Sequence, residues 1–129
     1  MTETTEIDTS FEQFSLHPRL TKGVERLNYK KPTPVQQQAI GPAIAGTDLL
    51  VCAETGSGKT AAFLLPIIQK LLLDEAPNSS TRALIMAPTR ELARQIVKNA
   101  KMLTQYSHLE IGQITGGDQL KYQKALLRK

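Results

Sequence analysis

Residues 48–60, Asp-Leu-Leu-Val-Cys-Ala-Glu-Thr-Gly-Ser-Gly-Lys-Thr, constrain the fold of this chain more than any other stretch. The apolar run at 49–53 has the character of a strand buried on both faces. It breaks into Thr55-Gly56-Ser57-Gly58, where two glycines let the backbone turn tightly and point its N–H groups inward. Lys59 and Thr60 then open an apolar segment, residues 61–73, long enough for a helix. Strand, Gly-rich turn, Lys-Thr and helix together form a phosphate cradle. Backbone amides and the helix N-terminus hold phosphate oxygens, Lys59 reaches the outer phosphates, and the Thr60 hydroxyl can ligate Mg²⁺. Ala53 stands where the general P-loop pattern has Gly. A glycine turn serving shape alone is the competing reading, and agreement between motif and setting favours nucleotide binding.

A chain of 129 residues holds at most one domain, with room for a real core but short for a complete nucleotide-hydrolysing unit. Its single cysteine, Cys52, excludes an internal disulfide framework and is expected as a small buried residue of the first strand rather than a reactive thiol. The acidic start carries no leader pattern, and no apolar run approaches the ~18 residues of a membrane span. The expectation is a soluble, cytoplasmic protein without a membrane partner. Charge is unevenly spread. Residues 1–14 carry Glu3, Glu6, Asp8 and Glu12 and no base, so against a net +4 the remaining residues carry +8. That excess suits a polyanionic partner, nucleic acid rather than membrane.

Residues 1–10 read as a disordered acidic lead-in and 11–129 as the folded part. Phe11 and Phe14 are the first large apolar residues. Leu16, Leu20, Val24 and Leu27 form one helical stripe with Pro18 in its first turn. Thr33-Pro34 reads as an N-cap and first helical residue of a second helix, which carries Val35 to Ile40, pauses at Gly41-Pro42 and resumes through Ile44. Pro66 is expected to kink the helix after the glycine turn. Residues 74–81 read as an exposed loop, 83–87 as a second buried strand, and Pro88-Thr89 as the cap of a further helix. On that helix Leu92, Ala93, Ile96, Val97, Ala100 and Leu103 face inward, while Arg90, Arg94, Lys98 and Lys101 make a basic stripe. Residues 111–115 form a third strand ended by Gly116-Gly117, and 118–129 a last helix. Alternating strands and helices predict a three-layer α/β sandwich with a parallel sheet.

Four motifs in order bring a specific resemblance. Asn28-Tyr29-Lys30-Lys31-Pro32-Thr33-Pro34-Val35-Gln36 resembles the Q motif of DEAD-box RNA helicases, and Phe11 lies 17 residues ahead of it, as that family's isolated upstream aromatic does. Ala53-Glu54-Thr55-Gly56-Ser57-Gly58-Lys59-Thr60 resembles the family's Walker A variant, leading alanine included. Pro88-Thr89-Arg90-Glu91-Leu92-Ala93 is identical to its motif Ia, and Gly116-Gly117 resembles its GG element. The resemblance implies a RecA-like P-loop domain that binds ATP with Mg²⁺ and contacts RNA. It implies that Phe11, Tyr29, Lys31 and Gln36 serve the adenine end, with Tyr29 stacking on the base, and Glu54 to Thr60 the phosphates and metal. It implies that Pro88, Thr89, Arg90, Gly116 and Gly117 grip the RNA sugar-phosphate backbone without reading bases. The amide of Gln36 offers donor and acceptor together, matching the adenine N6 and N7 edge; guanine presents O6 there. Without the resemblance, Gln36 reads as a solvated helix residue. Asn28 replaces the usual Gly and tolerates left-handed backbone.

The family's Asp-Glu-Ala-Asp box, expected beyond residue 117, is absent from these 129 residues, as are the Ser-Ala-Thr element and the second RecA-like domain with its arginine. Asp74-Glu75-Ala76-Pro77 imitates the box but follows a helix, roughly 22 Å along a straight helix from Lys59. The chain reads as the N-terminal part of the first RecA-like domain of such a helicase, expected not to turn ATP over by itself. Buried-type strands left uncovered are expected to favour self-association. Another P-loop enzyme such as a small kinase, or a non-enzymatic ATP- or RNA-binding module, are the rival classes. His17 and His108 stand in no metal-ligand spacing, and Arg94, Lys98 and Lys101 read as an ordinary solvated face.

Overall fold

The computed structural model describes residues 10–54, 56, 58–74 and 81–116. The acidic lead-in apart from Ser10, Thr55, Ser57, most of the 74–81 loop, Gly117 and the expected last helix lie outside the described residues.

The first element is a 3₁₀ turn, Phe11–Phe14, begun by Ser10, whose side chain accepts from the Glu12 amide. Ser15 ends it in a left-handed conformation with φ 50°. Helix α1 then spans Pro18–Arg26 with proline at its start, as the stripe predicts. Leu20 and Val24 are buried on it, while Leu16 and Leu27 pack against the same core from just outside its ends. His17 is its N-cap: Nδ1 accepts from the Arg19 amide at 3.2 Å. A Cβ on Gly23 would sit 2.9 Å from both the carbonyl carbon and the Cα of Leu103, so only glycine lets the two backbones approach this closely.

Helix α2, Pro34–Ile44, starts at the N-cap Thr33 as expected. It runs without interruption through Gly41-Pro42, where the sequence suggests a pause. Pro42 donates no backbone bond and disfavours a helical neighbour bearing a Cβ. Gly41 has no Cβ, so the helix passes through that pair and loses one internal bond. Helix α3, Lys59–Leu73, likewise contains Pro66, which is buried. Helix α4, Arg90–Leu103, starts at Thr89, whose hydroxyl accepts from the Leu92 amide at 3.1 Å. Its apolar face buries Ile96, Ala100 and Leu103, and Arg90, Arg94, Lys98 and Lys101 are all exposed, as the periodicity predicts.

Helix α2 lies along α3, α1 along α4, and α3 also touches both α1 and α4. The core is the seam between them: Leu20, Ile40, Leu64, Leu65 and Leu103 are fully buried. Each such side chain contributes about 1.5–3 kcal/mol relative to an exposed one.

The segments expected as strands behave differently. Residues 49–53, 83–87 and 111–115 form no strand ladder among the described residues. Leu50 is 95% exposed, Leu84 81% and Met86 85%. Cys52, expected inside a central strand, is also exposed. A helix closes its hydrogen bonds within itself, whereas a strand exists only through a neighbour's amides and carbonyls. The described residues supply a helical layer; the parallel sheet of the expected three-layer sandwich is not displayed among them.

Candidate functional site

The glycine turn is built around Gly58, whose φ of 88° places it in the left-handed region just before α3. It is the N-cap of α3 and has no side chain to cap the helix, so the first amides of α3 are left for another acceptor. Glycine is also required by its surroundings. A Cβ there would lie 3.0 Å from Thr33 Oγ1 and 3.2 Å from Gln36 Cδ.

Gln36 is therefore not the solvated residue that sequence position alone suggests: it is 4% exposed. Oε1 accepts from the Thr33 amide at 2.9 Å, and Nε2 donates to the Gly58 carbonyl oxygen at 3.1 Å. The first bond, with Thr33 Oγ1 accepting from the Gln36 amide at 3.4 Å, is a reciprocal capping box. That spacing, Thr-x-x-Gln at a helix start, was readable from sequence. The second bond crosses 22 positions and was not. It joins the start of α2 to the turn before α3, and it leaves the amide with one acceptor lone pair and one N–H uncommitted among these bonds.

Lys59 opens α3 and its Nζ donates to the carbonyl oxygen of Ala53, on the opposite arm of the turn. Thr60, one position on, is half-buried, and Glu54 and Gly56 are exposed. Thr55 and Ser57, expected in the same cradle, lie outside the described residues. Among the described residues no group of three or more His, Cys, Asp or Glu side chains could hold a metal ion. Thr60 places one hydroxyl beside the turn.

Tyr29 lies on the loop between α1 and α2. Asn28, before it, adopts φ 58°, a left-handed geometry that Asn tolerates. The Tyr29 ring packs nearly parallel to Phe11, with centroids 6.3 Å apart at 22°, and Phe11 meets Phe14 edge-on at 6.2 Å and 61°. Phe11 is buried, so it backs Tyr29 instead of facing solvent. Lys31 is exposed. Phe11 and Tyr29 border a groove of about 560 Å³ that also includes Ser15, Thr21, Val24 and Lys30.

The motif Ia residues Pro88, Thr89 and Arg90 are exposed at the start of α4, with Thr89 also capping it. Gly116 is exposed, and Gly117 lies outside the described residues. Asp74, the first letter of the imitation box, is the C-cap of α3. Its carboxylate lies 3.4 Å from Arg82, which also donates to the carbonyl oxygens of Leu71 and Asp74. That arrangement closes the end of α3 furthest from Lys59.

One polar residue was missed altogether. Gln69 lies in the otherwise apolar interior of α3 and is 5% exposed. Its Oε1 accepts from the His17 amide at 2.6 Å, and its Nε2 donates to the Ser15 carbonyl oxygen at 3.4 Å. The only signal in the sequence is a lone glutamine inside an apolar helix.

Comparison with known proteins agrees with this geometry. Residues 33–129 match the family model for the DEAD/DEAH box helicases. The chain is 47% identical over 110 residues to the ATP-dependent RNA helicase SrmB of Haemophilus influenzae, covering 84% of this chain and 25% of that protein. It is 44% identical over 120 residues to the probable ATP-dependent RNA helicase ddx27 of Dictyostelium discoideum, covering 93% of this chain and 15% of that one. Among solved structures, the RNA helicase Prp28 of Chaetomium thermophilum bound to ADP superposes with a TM-score of 0.81 at 41% identity, over 92% of this chain and 30% of that one. A DEAD box protein of Methanococcus jannaschii gives 0.83 at 32% identity, over 92% and 32%. The chain thus spans a quarter or less of these two curated relatives. A glycine turn whose carbonyl is held by a buried glutamine from the preceding helix, followed by an intact Pro-Thr-Arg-Glu-Leu-Ala cap, sits inside that match: this chain belongs to the DEAD/DEAH box helicase family.

Proposed function

We propose that this chain is the ATP-binding and RNA-contacting portion of the first RecA-like domain of an ATP-dependent RNA helicase. The observation that carries the reading is Gln36, buried and bonded to both Thr33 and Gly58, because it fixes a base-reading amide directly against the phosphate turn. Its uncommitted N–H and lone pair suit adenine N7 and N6, respectively; guanine would set O6 against the amide oxygen. Tyr29, backed by Phe11, offers an aromatic platform for the base.

At the other end, the uncapped amides of α3 favour phosphate oxygens. Lys59 exchanges its bond to the Ala53 carbonyl for the outer phosphates, a change that a flexible ammonium makes readily. Thr60 supplies one oxygen toward Mg²⁺, which neutralises phosphate charge when bound. The exposed start of α4, with Arg90, and Gly116 contact RNA phosphates without base selection. In the whole protein, residues 49–53, 83–87 and 111–115 are strands of a parallel sheet, and its remainder supplies the acidic box and the opposing domain's arginine. There ATP hydrolysis is coupled to RNA strand separation, in the cytoplasm. The ADP in the Prp28 structure supports the nucleotide half of this reading.

Calorimetric titration with ADP and GDP tests it. The wild-type chain is expected to prefer ADP, Gln36→Ala to erode the preference, and Lys59→Ala to weaken both nucleotides alike. Equal affinities of the wild-type chain for ADP and GDP would falsify the reading.

A further inference from the structure

Helix α3 holds more than phosphates. Ten residues beyond Lys59, about 15 Å along the helix axis, Gln69 is bonded to the backbone on either side of Leu16. Those two bonds span 52 and 54 positions of sequence, so no local rule places them. Their partners are backbone groups that no helix or strand satisfies. Ser15 is the left-handed residue ending the 3₁₀ turn, and His17 is the N-cap of α1. The turn that Ser15 closes carries Phe11, and Phe11 is the ring behind Tyr29. Phe11 is packed in the core, and the backbone of the turn sets where in that core its ring stands.

We infer that Gln69 is a positioning residue for the base end of the nucleotide site: by tying residues 15 and 17 to α3, it holds Phe11 behind Tyr29. The inference rests on reading this site as a nucleotide cradle. Its physical basis is that both ends of the ligand are referred to one rigid helix. Lys59 and the α3 amides stand at the start, and Gln69 fixes the platform through Phe11. Gln69 touches neither base nor phosphate. Removing its hydrogen bonds therefore moves the platform without altering the phosphate turn. Small displacements of a positioning group are costly to ligand binding, commonly about tenfold or more.

The experiment compares ADP with inorganic tripolyphosphate, which has no base, by calorimetry on the full chain. Gln69→Met keeps the volume and deletes both bonds; Gln69→Glu keeps an acceptor for the His17 amide. Gln69→Met is expected to weaken ADP about tenfold while tripolyphosphate changes by less than about twofold, with Gln69→Glu falling between. In a Tyr29→Ala background, Gln69→Met is expected to add nothing further to the loss of ADP affinity. Unchanged ADP affinity in Gln69→Met, equal losses for both ligands, or a full additional loss on top of Tyr29→Ala would each overturn the assignment. Should Gln69→Met not fold, Gln69→Glu decides by the same comparison. A wild-type chain that binds tripolyphosphate but shows no preference for ADP over GDP contradicts the base-site reading itself, separately from Gln69.

Discussion

Gly23→Ala is the sharpest test of how α1 is seated. In an exposed helix the change would stabilise by roughly 0.5–1 kcal/mol, because alanine loses less backbone entropy. Here the added methyl would overlap the Leu103 carbonyl oxygen and lie 2.9 Å from the neighbouring C and Cα. Carbon atoms rest at about 3.5–4.0 Å, so α1 and the end of α4 must part by roughly 0.6 Å or more. Parting them loosens Leu20, Val24 and Leu103, all at 3% exposure or less. Overpacking of this kind costs about 1–3 kcal/mol. Set against the helix gain, the net expectation is a loss of about 1–2 kcal/mol, or roughly 4–8 °C in Tm for a chain of this size. Thermal unfolding followed by circular dichroism measures it. Because the overlap is with Leu103 backbone, shortening that side chain cannot relieve it, and Gly23→Ala with Leu103→Ala is expected to be less stable than either single variant. A Gly23→Ala protein as stable as wild type, or rescue by Leu103→Ala, would refute the close approach of the two helices.

Thr89→Ala removes the hydroxyl that accepts from Leu92 and should cost about 1 kcal/mol of stability in urea unfolding, whereas Thr89→Ser should recover most of it. A cap role alone leaves the RNA affinity of the folded chain unchanged in both variants, whereas weaker RNA binding by folded Thr89→Ala marks a direct contact. Asp74→Asn should leave ADP binding unaltered, since Asp74 serves the far end of α3 beside Arg82; a loss of binding measured by calorimetry would return it to the nucleotide site. Binding of single-stranded RNA should be insensitive to sequence and fall steeply with added salt, as phosphate contacts do. A salt-independent preference for one RNA in a filter-binding series would contradict the backbone-contact reading.

The helices were legible because their determinants are local. Pro18, Thr33-Pro34 and Thr89 mark starts by chemistry that acts within one turn, and the stripes of α1 and α4 follow from 3.6 residues per turn. The expected pause at Gly41-Pro42 does not occur, because glycine before the proline presents no Cβ to its ring and the packed helix tolerates the one lost bond. The left-handed Asn28 follows from the resemblance, which implies Gly at that position, and from the tolerance of Asn for that geometry.

The tertiary structure decided what depends on partners distant in sequence. The glycine turn and its setting point to phosphate binding, and the motif order points to a family resemblance that implies a base-reading role for Gln36. Neither revealed that Gln36 would be buried against Gly58, that Phe11 would stand behind Tyr29, or that Gln69 would hold residues 15 and 17. Periodicity reports which face of an element is apolar, not what meets it. The apolar runs at 49–53 and 83–87 make the same point from the other side. Their composition is that of buried strands, but a strand needs a neighbour to accept its hydrogen bonds and cover its faces. Residue type sets the demand for burial; only the packed chain determines whether and by what it is met.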